Sequence, residues 1–158
     1  MTERFFSRLK PGLVLDLGSY EFGAEEIKRF ARKFDPQPFH LDEKAAEESH
    51  FGRLCASGWH SCAIFMRLYV KNGGDALRQA TGWTGPMPER GPSPGIRDLK
   101  WSRPTYAGDT ISYRSTLLEA RLSKSRIGWG LMQSQAEATN QDGELVMRFT
   151  ASAFIRAD

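Results

Sequence analysis

The sequence has little of several features that would define a functional class at once. It contains two cysteines, Cys55 and Cys62, which lie in an apolar stretch and lack the spacing of a metal site. We therefore expect reduced thiols in a cytoplasmic protein and no disulfide framework. The formal net charge is only +3 and the basic residues are scattered along the chain, which argues against a nucleic-acid interface.

Long apolar runs are also missing. The first ten residues contain none, so we expect no signal peptide. The longest apolar-rich stretch, residues 62–70, is interrupted by Arg67 and is too short to span a bilayer. What remains is a chain of 158 residues, 40% hydrophobic and 26% charged, for which we expect one domain over residues 1–158 and no membrane contact.

The first half of the chain predicts a strand followed by helices. Apolar residues alternate over residues 13–22, directly after the turn signal Pro11-Gly12, as in a β-strand. A helix is predicted from Gly23, because apolar residues then recur at helical spacing on one face. Asp42 is a suitable N-cap for a short helix over residues 43–48.

A longer helix follows near the middle of the chain. We predict that it begins at Ser57 or Gly58 and ends at Asn72-Gly73-Gly74, and that it is buried because it is apolar on nearly every side. Residues 72–95 are rich in glycine and proline and predict a long loop. Such a loop is either a lid over a site or a surface connection.

The last part of the chain alternates with a period of two. It predicts strands over residues 96–101, 110–121, 129–139 and 146–155, the last two joined by a turn at residues 140–143. The order of strand, helices, buried helix and antiparallel strands predicts an α+β domain whose sheet wraps around a helix. We expect the long C-terminal strands to leave exposed edges.

Residues 35–40, Asp-Pro-Gln-Pro-Phe-His, place a carboxylate and an imidazole five positions apart. Pro36 and Pro38 bias the residues before them away from helical geometry and cannot donate a backbone hydrogen bond. We therefore predict a stiff, extended loop that must curl if Asp35 and His40 share a site. Taken alone, the same residues also fit a helix stop followed by a capping or core histidine.

Several segments together resemble the MaoC-like acyl dehydratases, the group that includes the R-specific enoyl-CoA hydratases. The resemblance runs from about residue 13 to the C-terminus and implies the hotdog fold, an antiparallel sheet wrapped around a central helix. The matching pieces are Asp35-x-x-Pro38-x-His40-Leu41-Asp42, Phe51-Gly52, Gly58 at the start of the central helix, and Trp101-x-x-Pro104-x-x-x-Gly108-Asp109-Thr110.

The resemblance implies a hydro-lyase that adds or removes water across the α,β double bond of an acyl thioester. It assigns Asp35 and His40 to one catalytic water and the backbone N–H of Gly58 to the thioester oxygen. General chemistry agrees, because hydration needs a base, a proton for the α-carbon and donors for the enolate oxygen. A helix N-terminus supplies free N–H donors. We expect no metal and no separate cofactor, since coenzyme A enters as part of the substrate.

Three neighbours of Gly58, namely Ser57, Trp59 and His60, are candidates for lining the substrate pocket. The alternative for Trp59 and His60 is a place in the core or in an interface. The three histidines and nearby aspartates match no metal-ligand spacing. Cys62 is an improbable nucleophile, because apolar neighbours raise the pKa of a thiol.

For partners, we expect an acyl-CoA or another acyl thioester as substrate and a second copy of the chain in a homodimer, with the site near the interface. Two other functions stay open. A hotdog acyl-CoA thioesterase would also use a carboxylate and the helix N-terminus, but would release a free thiol. A non-catalytic acyl-thioester-binding module would use Asp35 and His40 only as structural residues.

Overall fold

Five antiparallel strands form one sheet in the order β1-β3-β4-β5-β2, as a computed structural model describing residues 4–158 shows. The helices are α1 (Ala24–Phe34), α2 (Pro38–Leu41), α3 (Glu43–Glu47) and α4 (Gly58–Thr81), and a single 3-10 turn, Phe5–Arg8, precedes β1. The strands are β1 (Val14–Glu21), β2 (Gly95–Trp101), β3 (Thr110–Leu122), β4 (Trp129–Thr139) and β5 (Leu145–Arg156).

Helix α4 packs against one face of the sheet, because one side of the helix is apolar at helical spacing. Ile64, Phe65 and Leu68 are buried on that face. The ring of Phe65 contacts the ring of Phe149 on β5 at 4.9 Å between centroids and lies 6.4 Å from that of Tyr113 on β3. This arrangement confirms the predicted α+β architecture with a sheet around a central helix.

The opposite face of α4 is open to solvent in the single chain. Trp59, Met66 and Val70 are 55%, 54% and 69% exposed. The predicted buried helix is therefore buried along the face that the sheet covers, and its other face is open in the single chain. No helix of residues 4–158 is long and apolar enough to cross a membrane.

The predicted end of α4 at Asn72-Gly73-Gly74 is wrong. The helix continues to Thr81 and ends at Gly82, whose φ of 65° is the left-handed conformation typical of a helix C-terminus. Asn72 donates a hydrogen bond from Nδ2 to the carbonyl of Leu17 at 2.8 Å, and Gly73 is buried. These contacts with distant residues hold the glycine pair in the helix against its low intrinsic propensity.

The free edges of the sheet belong to β1 and β2, not to the long C-terminal strands. Strands β3, β4 and β5 each have a neighbour on both sides, which corrects the expectation that they leave exposed edges. The most exposed edge is β2, where Ile96 is 51% and Trp101 43% exposed. Its pairing with β5 shifts register between Arg97 and Lys100, and Asp98 there has a φ of 57°.

The connection from α4 to β2 is shorter than predicted, since residues 72–81 are helical. Its second half is tied to β5 by backbone hydrogen bonds. The N–H of Gly91 donates to the carbonyl of Phe154 at 2.8 Å, and the N–H of Arg156 donates to that of Glu89 at 2.9 Å. This part of the chain runs along the sheet as a surface connection.

Candidate active site

Asp35 lies where α1 ends. Its φ of −155° and ψ of 70° leave the helix, while its N–H still donates to the carbonyl of Ala31 at 2.9 Å. Pro36 follows, and a proline disfavours helical geometry in the residue before it. The N–H of Gln37 then donates to the carbonyl of Asp35 at 2.8 Å, which turns the chain sharply.

His40 lies on a single helical turn and not in an extended loop. Residues Pro38–Leu41 form α2, so the prediction of an extended segment through His40 is wrong at its second half. Pro38 is the first residue of this turn, where a proline costs no hydrogen bond and already has a helical φ. The turn supplies the curl that brings Asp35 and His40 together.

The two side chains meet in one buried place. Nε2 of His40 is 3.3 Å from Oδ2 of Asp35, and His40 is only 5% exposed. Nδ1 of His40 is 2.6 Å from the carbonyl oxygen of Cys55, which can only accept a hydrogen bond. Nδ1 therefore carries a proton, and Nε2 is an acceptor whenever the ring is neutral.

This tautomer has a chemical consequence. When the ring of His40 is neutral, its Nε2 and the carboxylate of Asp35 are both acceptors, so they cannot hydrogen-bond to each other directly. A molecule with two O–H donors, such as water, can donate to both at once. The pair is thus arranged to hold a water molecule between a carboxylate and an imidazole.

The carboxylate of Asp35 is held in its charged form. Nε2 of Gln37 donates to Oδ1 at 2.7 Å, and the hydroxyl of Ser57 also donates to this carboxylate. Burial alone raises the pKa of Asp35, but the hydrogen bonds from Ser57 and Gln37, with the nearby His40, outweigh burial and lower it below its usual value. Asp35 is therefore ionised at neutral pH.

The N-terminus of α4 faces the same place. Ser57 is the N-cap, and its Oγ accepts from the N–H of Trp59 at 3.3 Å. Gly58 is the first helical residue, as predicted, and its N–H has no hydrogen-bond partner within residues 4–158. The positive end of the helix dipole therefore points a free donor toward the site.

Trp101 of β2 covers Gly58 from the outside. A Cβ atom added to Gly58 would lie 2.3 Å from Cε2 of the indole, so only glycine allows this contact. The indole also packs edge-to-face against Trp59, with 5.1 Å between ring centroids. Sequence analysis used Trp101 only as part of a fold motif and missed its position at the site.

A cavity of about 650 Å³ joins these groups, and we call it the catalytic cavity. Its volume falls within the range of about 300–1,000 Å³ that is common for ligand sites. None of residues 83–94 lines it, so the structure gives no support to the lid alternative for that part of the chain. Its lining includes Asp35, His40, Ser57, Gly58 and Trp59, and the aromatic residues Phe39, Phe51, Trp101 and Tyr106.

His60 lies elsewhere, on the other side of the first turn of α4. Its ring stacks on that of Phe30 at 4.5 Å and meets Phe22 edge-to-face at 4.9 Å. Its Nδ1 is buried and has no hydrogen-bond partner within the described part of the chain. Burial lowers the pKa of His60 to about 4, although the charge of Glu26 acts in the opposite direction. His60 is therefore neutral and does not line the catalytic cavity.

The two cysteines are free thiols. Burial, with a smaller contribution from the charge of Asp35, raises the pKa of Cys55 to about 11. Burial also raises the pKa of Cys62, against a hydrogen bond with Trp101. Neither is a thiolate at neutral pH, which agrees with the prediction that Cys62 is no nucleophile. Cys55 serves the site through its backbone carbonyl, which no side-chain pattern could have revealed.

Comparison with known proteins identifies the family. The sequence profile of the family described as "MaoC like domain" matches residues 11–86. The crystal structure of a MaoC-like dehydratase from Rhodospirillum rubrum covers 96% of this chain and 96% of its own, with 38% identity and a TM-score of 0.80. The uncharacterised protein YdeM of Bacillus subtilis strain 168 is 37% identical over 119 residues, 74% of this chain and 75% of that protein.

R-hydratase PhaJ1 from Pseudomonas aeruginosa has a similar fold. It is 22% identical, covers 97% of this chain and 86% of its own, and has a TM-score of 0.68. These likenesses confirm the predicted hotdog fold, a five-stranded antiparallel sheet with one long helix. The chain belongs to the MaoC-like dehydratase family.

Proposed function

We propose that this protein adds or removes water across the α,β double bond of an acyl thioester. The observation that carries the proposal is the pair of acceptors, Oδ2 of Asp35 and Nε2 of His40, only 3.3 Å apart beside the N-terminus of α4. The carbonyl of Cys55 fixes the tautomer of His40. The hydrogen bonds that the carboxylate of Asp35 accepts from Gln37 and Ser57 keep this carboxylate ionised. Both acceptors are therefore ready for the same water.

In the hydration direction, the oxygen of this water forms a bond to the β-carbon of the enoyl group. One water proton passes to the Asp35–His40 pair, and the electrons of the double bond move toward the thioester carbonyl. The pair then returns a proton to the α-carbon, so that H and OH have been added in total. Dehydration is the same sequence in reverse.

The backbone N–H of Gly58 is proposed to bind the thioester oxygen. Negative charge develops on this oxygen as the enolate forms, and a fixed donor at a helix N-terminus stabilises it without reorganisation. The indole of Trp101 packs against the Cα of this glycine. No metal or separate cofactor takes part in the proposed step.

We also propose that the protein is a homodimer. The outer edge of β2 is unpaired within residues 4–158 and carries exposed apolar side chains at Ile96 and Trp101. Pairing with the same strand of a second copy would satisfy its free backbone groups and cover these side chains. Because Trp101 also lines the catalytic cavity, the site would lie near this interface.

The first experiment is to follow loss of enoyl-thioester absorbance with a short trans-2-enoyl-CoA, for the wild type and Asp35→Asn. The asparagine keeps the shape and most hydrogen bonds but cannot take a proton. We expect turnover by the wild type and a loss of about 10²–10⁴-fold in the variant, with unchanged circular dichroism.

The same assay separates the rival functions. A thiol reagent added to the reaction detects free coenzyme A, and its release would make the protein a thioesterase. Thioester binding without any turnover, across short, branched and hydroxylated acyl groups, would make it a binding module. Either result contradicts the proposal.

A further inference from the structure

A second cavity, of about 200 Å³, lies between α4 and the face of the sheet that α4 covers, and we call it the apolar cavity. Phe65 and Met66 contribute to its wall from the helix, and Phe149 and Ala151 contribute from the sheet. Among residues 4–158, no carboxylate, ammonium or guanidinium group lines it. The apolar cavity is therefore suited to a hydrocarbon chain rather than to a charged group.

The apolar and catalytic cavities follow one another along α4. Gly58 lines the catalytic cavity, whereas Cys62 and Met66, on the next two turns of the same helix face, line the apolar cavity. Strand β2 lies beside this face. Its residue Trp101 lines the catalytic cavity and its residue Ile96 lines the apolar one. The two cavities are thus successive parts of one groove between the helix and the sheet.

The indole of Trp101 divides this groove. It packs against Gly58, and it forms a hydrogen bond with the side chain of Cys62. Because the N–H of an indole can only donate, the sulfur of Cys62 is the acceptor. The indole therefore extends along one turn of α4, a rise of about 5–6 Å. Among residues 4–158, none lines both cavities.

The register shift in β2 directs Trp101 into the groove. Ile96 pairs with Ala151 and Trp101 pairs with Met147, so this step is one residue longer on β2 than on β5. In a regular strand, an odd separation would place Ile96 and Trp101 on opposite faces of the sheet. The extra residue brings both side chains to the face that α4 covers.

Met147 completes the division on the side of the sheet. It is fully buried, and its Sδ lies 3.5 Å from Sγ of Cys62, which donates to it. Cys62 thus accepts from the indole and donates to the thioether. We call Trp101, Cys62 and Met147 the partition, because together they cross the groove from β2 to β5.

We propose that Trp101 limits the length of the acyl chain. The partition separates the apolar cavity from the catalytic cavity, so the protein acts on short acyl thioesters. Loss of the indole joins the two cavities and admits a longer chain. This inference rests on the proposed function and extends it by naming the class of acyl group. One side chain is sufficient, since a single methylene in an apolar pocket changes kcat/KM by about 10–200-fold.

The test compares trans-2-butenoyl-CoA with trans-2-octenoyl-CoA by loss of enoyl absorbance. We expect the wild type to have a kcat/KM about tenfold or more lower for the octenoyl substrate. In Trp101→Ala the ratio of octenoyl to butenoyl kcat/KM should rise about tenfold or more. The ratio is decisive because a change beside Gly58 alters the rate with every substrate. A wild-type ratio in the variant, or a wild type without a preference, overturns the inference.

Trp101→Leu is the second variant, should the alanine variant not fold. Leucine keeps an apolar cover beside Gly58 but is too small to reach Cys62. We expect the same direction of change in the ratio, with a smaller size. A wild-type ratio in folded Trp101→Leu also overturns the inference.

Ala151→Phe is the matched control, because it fills the apolar cavity from the sheet and does not line the catalytic cavity. Alone, it should leave kcat/KM for both substrates at the wild-type values, with an unchanged melting profile. Combined with Trp101→Ala, it should restore the preference for the short chain. If Ala151→Phe alone lowers activity only on the octenoyl substrate, the wild type already uses the apolar cavity, and the partition is overturned.

Cys62 is a positioning residue in this proposal, since it acts through Trp101. Cys62→Ser keeps an acceptor for the indole N–H, whereas Cys62→Val has a similar volume and no acceptor. We expect the serine variant to keep the wild-type ratio and the valine variant to raise the ratio of octenoyl to butenoyl kcat/KM. Equal ratios in the two variants would overturn the role of Cys62.

Binding of saturated thioesters tests the partition without the reaction. Calorimetry with butanoyl-CoA and octanoyl-CoA should show that Trp101→Ala raises the relative affinity for octanoyl-CoA about tenfold or more. If this shift occurs but no enoyl thioester is turned over, the proposed reaction fails and the partition stands. Unchanged relative binding, or binding of neither thioester, overturns the partition.

Discussion

His40 and His60 are buried to the same degree and differ in almost everything else. Each is 5% exposed, and each packs against phenylalanine rings. Each ring nitrogen of His40 faces an oxygen atom, the carbonyl of Cys55 at Nδ1 and the carboxylate of Asp35 at Nε2. His60 has a buried Nδ1 with no partner within residues 4–158.

The comparison shows that burial alone does not make a histidine useful for proton transfer. Burial favours the neutral ring and lowers the pKa of His60 to about 4, although the charge of Glu26 acts in the opposite direction. At His40, the fixed carbonyl selects a tautomer and a carboxylate faces the free nitrogen. Partners, and not burial, therefore separate the candidate catalytic histidine from the structural one.

The largest expected effect is a loss of catalytic activity when His40 is replaced. His40→Gln keeps an amide that can reach the Cys55 carbonyl but cannot exchange a proton. We expect kcat/KM with enoyl-CoA to fall about 10²–10⁴-fold, with the wild-type melting profile retained. Activity within tenfold of the wild type would remove the distinction between the two histidines.

The next effect is a pH dependence of stability that originates at His60. The unfolded chain binds a proton near pH 6.5, whereas folded His60 binds it only near pH 4. Stability is therefore complete above pH 6.5 and decreases as the pH falls toward 4, by up to about 3 kcal/mol.

His60→Leu should remove this decrease. The leucine cannot be protonated and leaves no unsatisfied nitrogen, so the variant should be stabilised relative to the wild type at pH 4.5 more than at pH 7.5. Urea unfolding at the two pH values measures the difference. If wild type and variant lose the same stability on acidification, the pH dependence does not originate at His60.

A smaller effect is expected at the contact between Gly58 and Trp101. Gly58→Ala must displace the indole and should cost about 1–3 kcal/mol, even though alanine is the better helix former. In the background of Trp101→Ala the same change should be neutral or stabilising. Chemical denaturation of the wild type, the two single variants and the double variant completes this double-mutant cycle. If Gly58→Ala lowers the free energy of unfolding equally in both backgrounds, the indole does not exclude a side chain at Gly58.

The smallest effect is expected for Ser57→Ala. The loss of the α4 cap should cost about 1 kcal/mol. The carboxylate of Asp35 also loses a donor that favours its charged form, so its pKa should rise. The acidic limb of the pH profile of kcat should therefore move to higher pH, whereas a serine that acts only as a cap would leave this limb in place.

Much of the fold could be predicted from local patterns. The bounds of β4, the approximate bounds of β1, the start of α1 after Gly23 and the start of α4 at Ser57 and Gly58 follow from periodicity and caps, which depend on residues close in sequence. The end of α4 could not be predicted, because a carbonyl on β1 and the packing around Gly73 hold the helix together past the glycine pair.

The candidate site divides in the same way. The sequence by itself determined the chemistry of Asp35 and His40. It also determined the end of α1, because Pro36 disfavours helical geometry in the residue before it. Both are properties of a few adjacent residues. Only the tertiary structure decided that Cys55 orients His40, that Trp101 covers Gly58 and that His60 faces away from the catalytic cavity. Each depends on elements far apart in the chain, whose approach is set by packing around the whole of α4 and not by any local pattern.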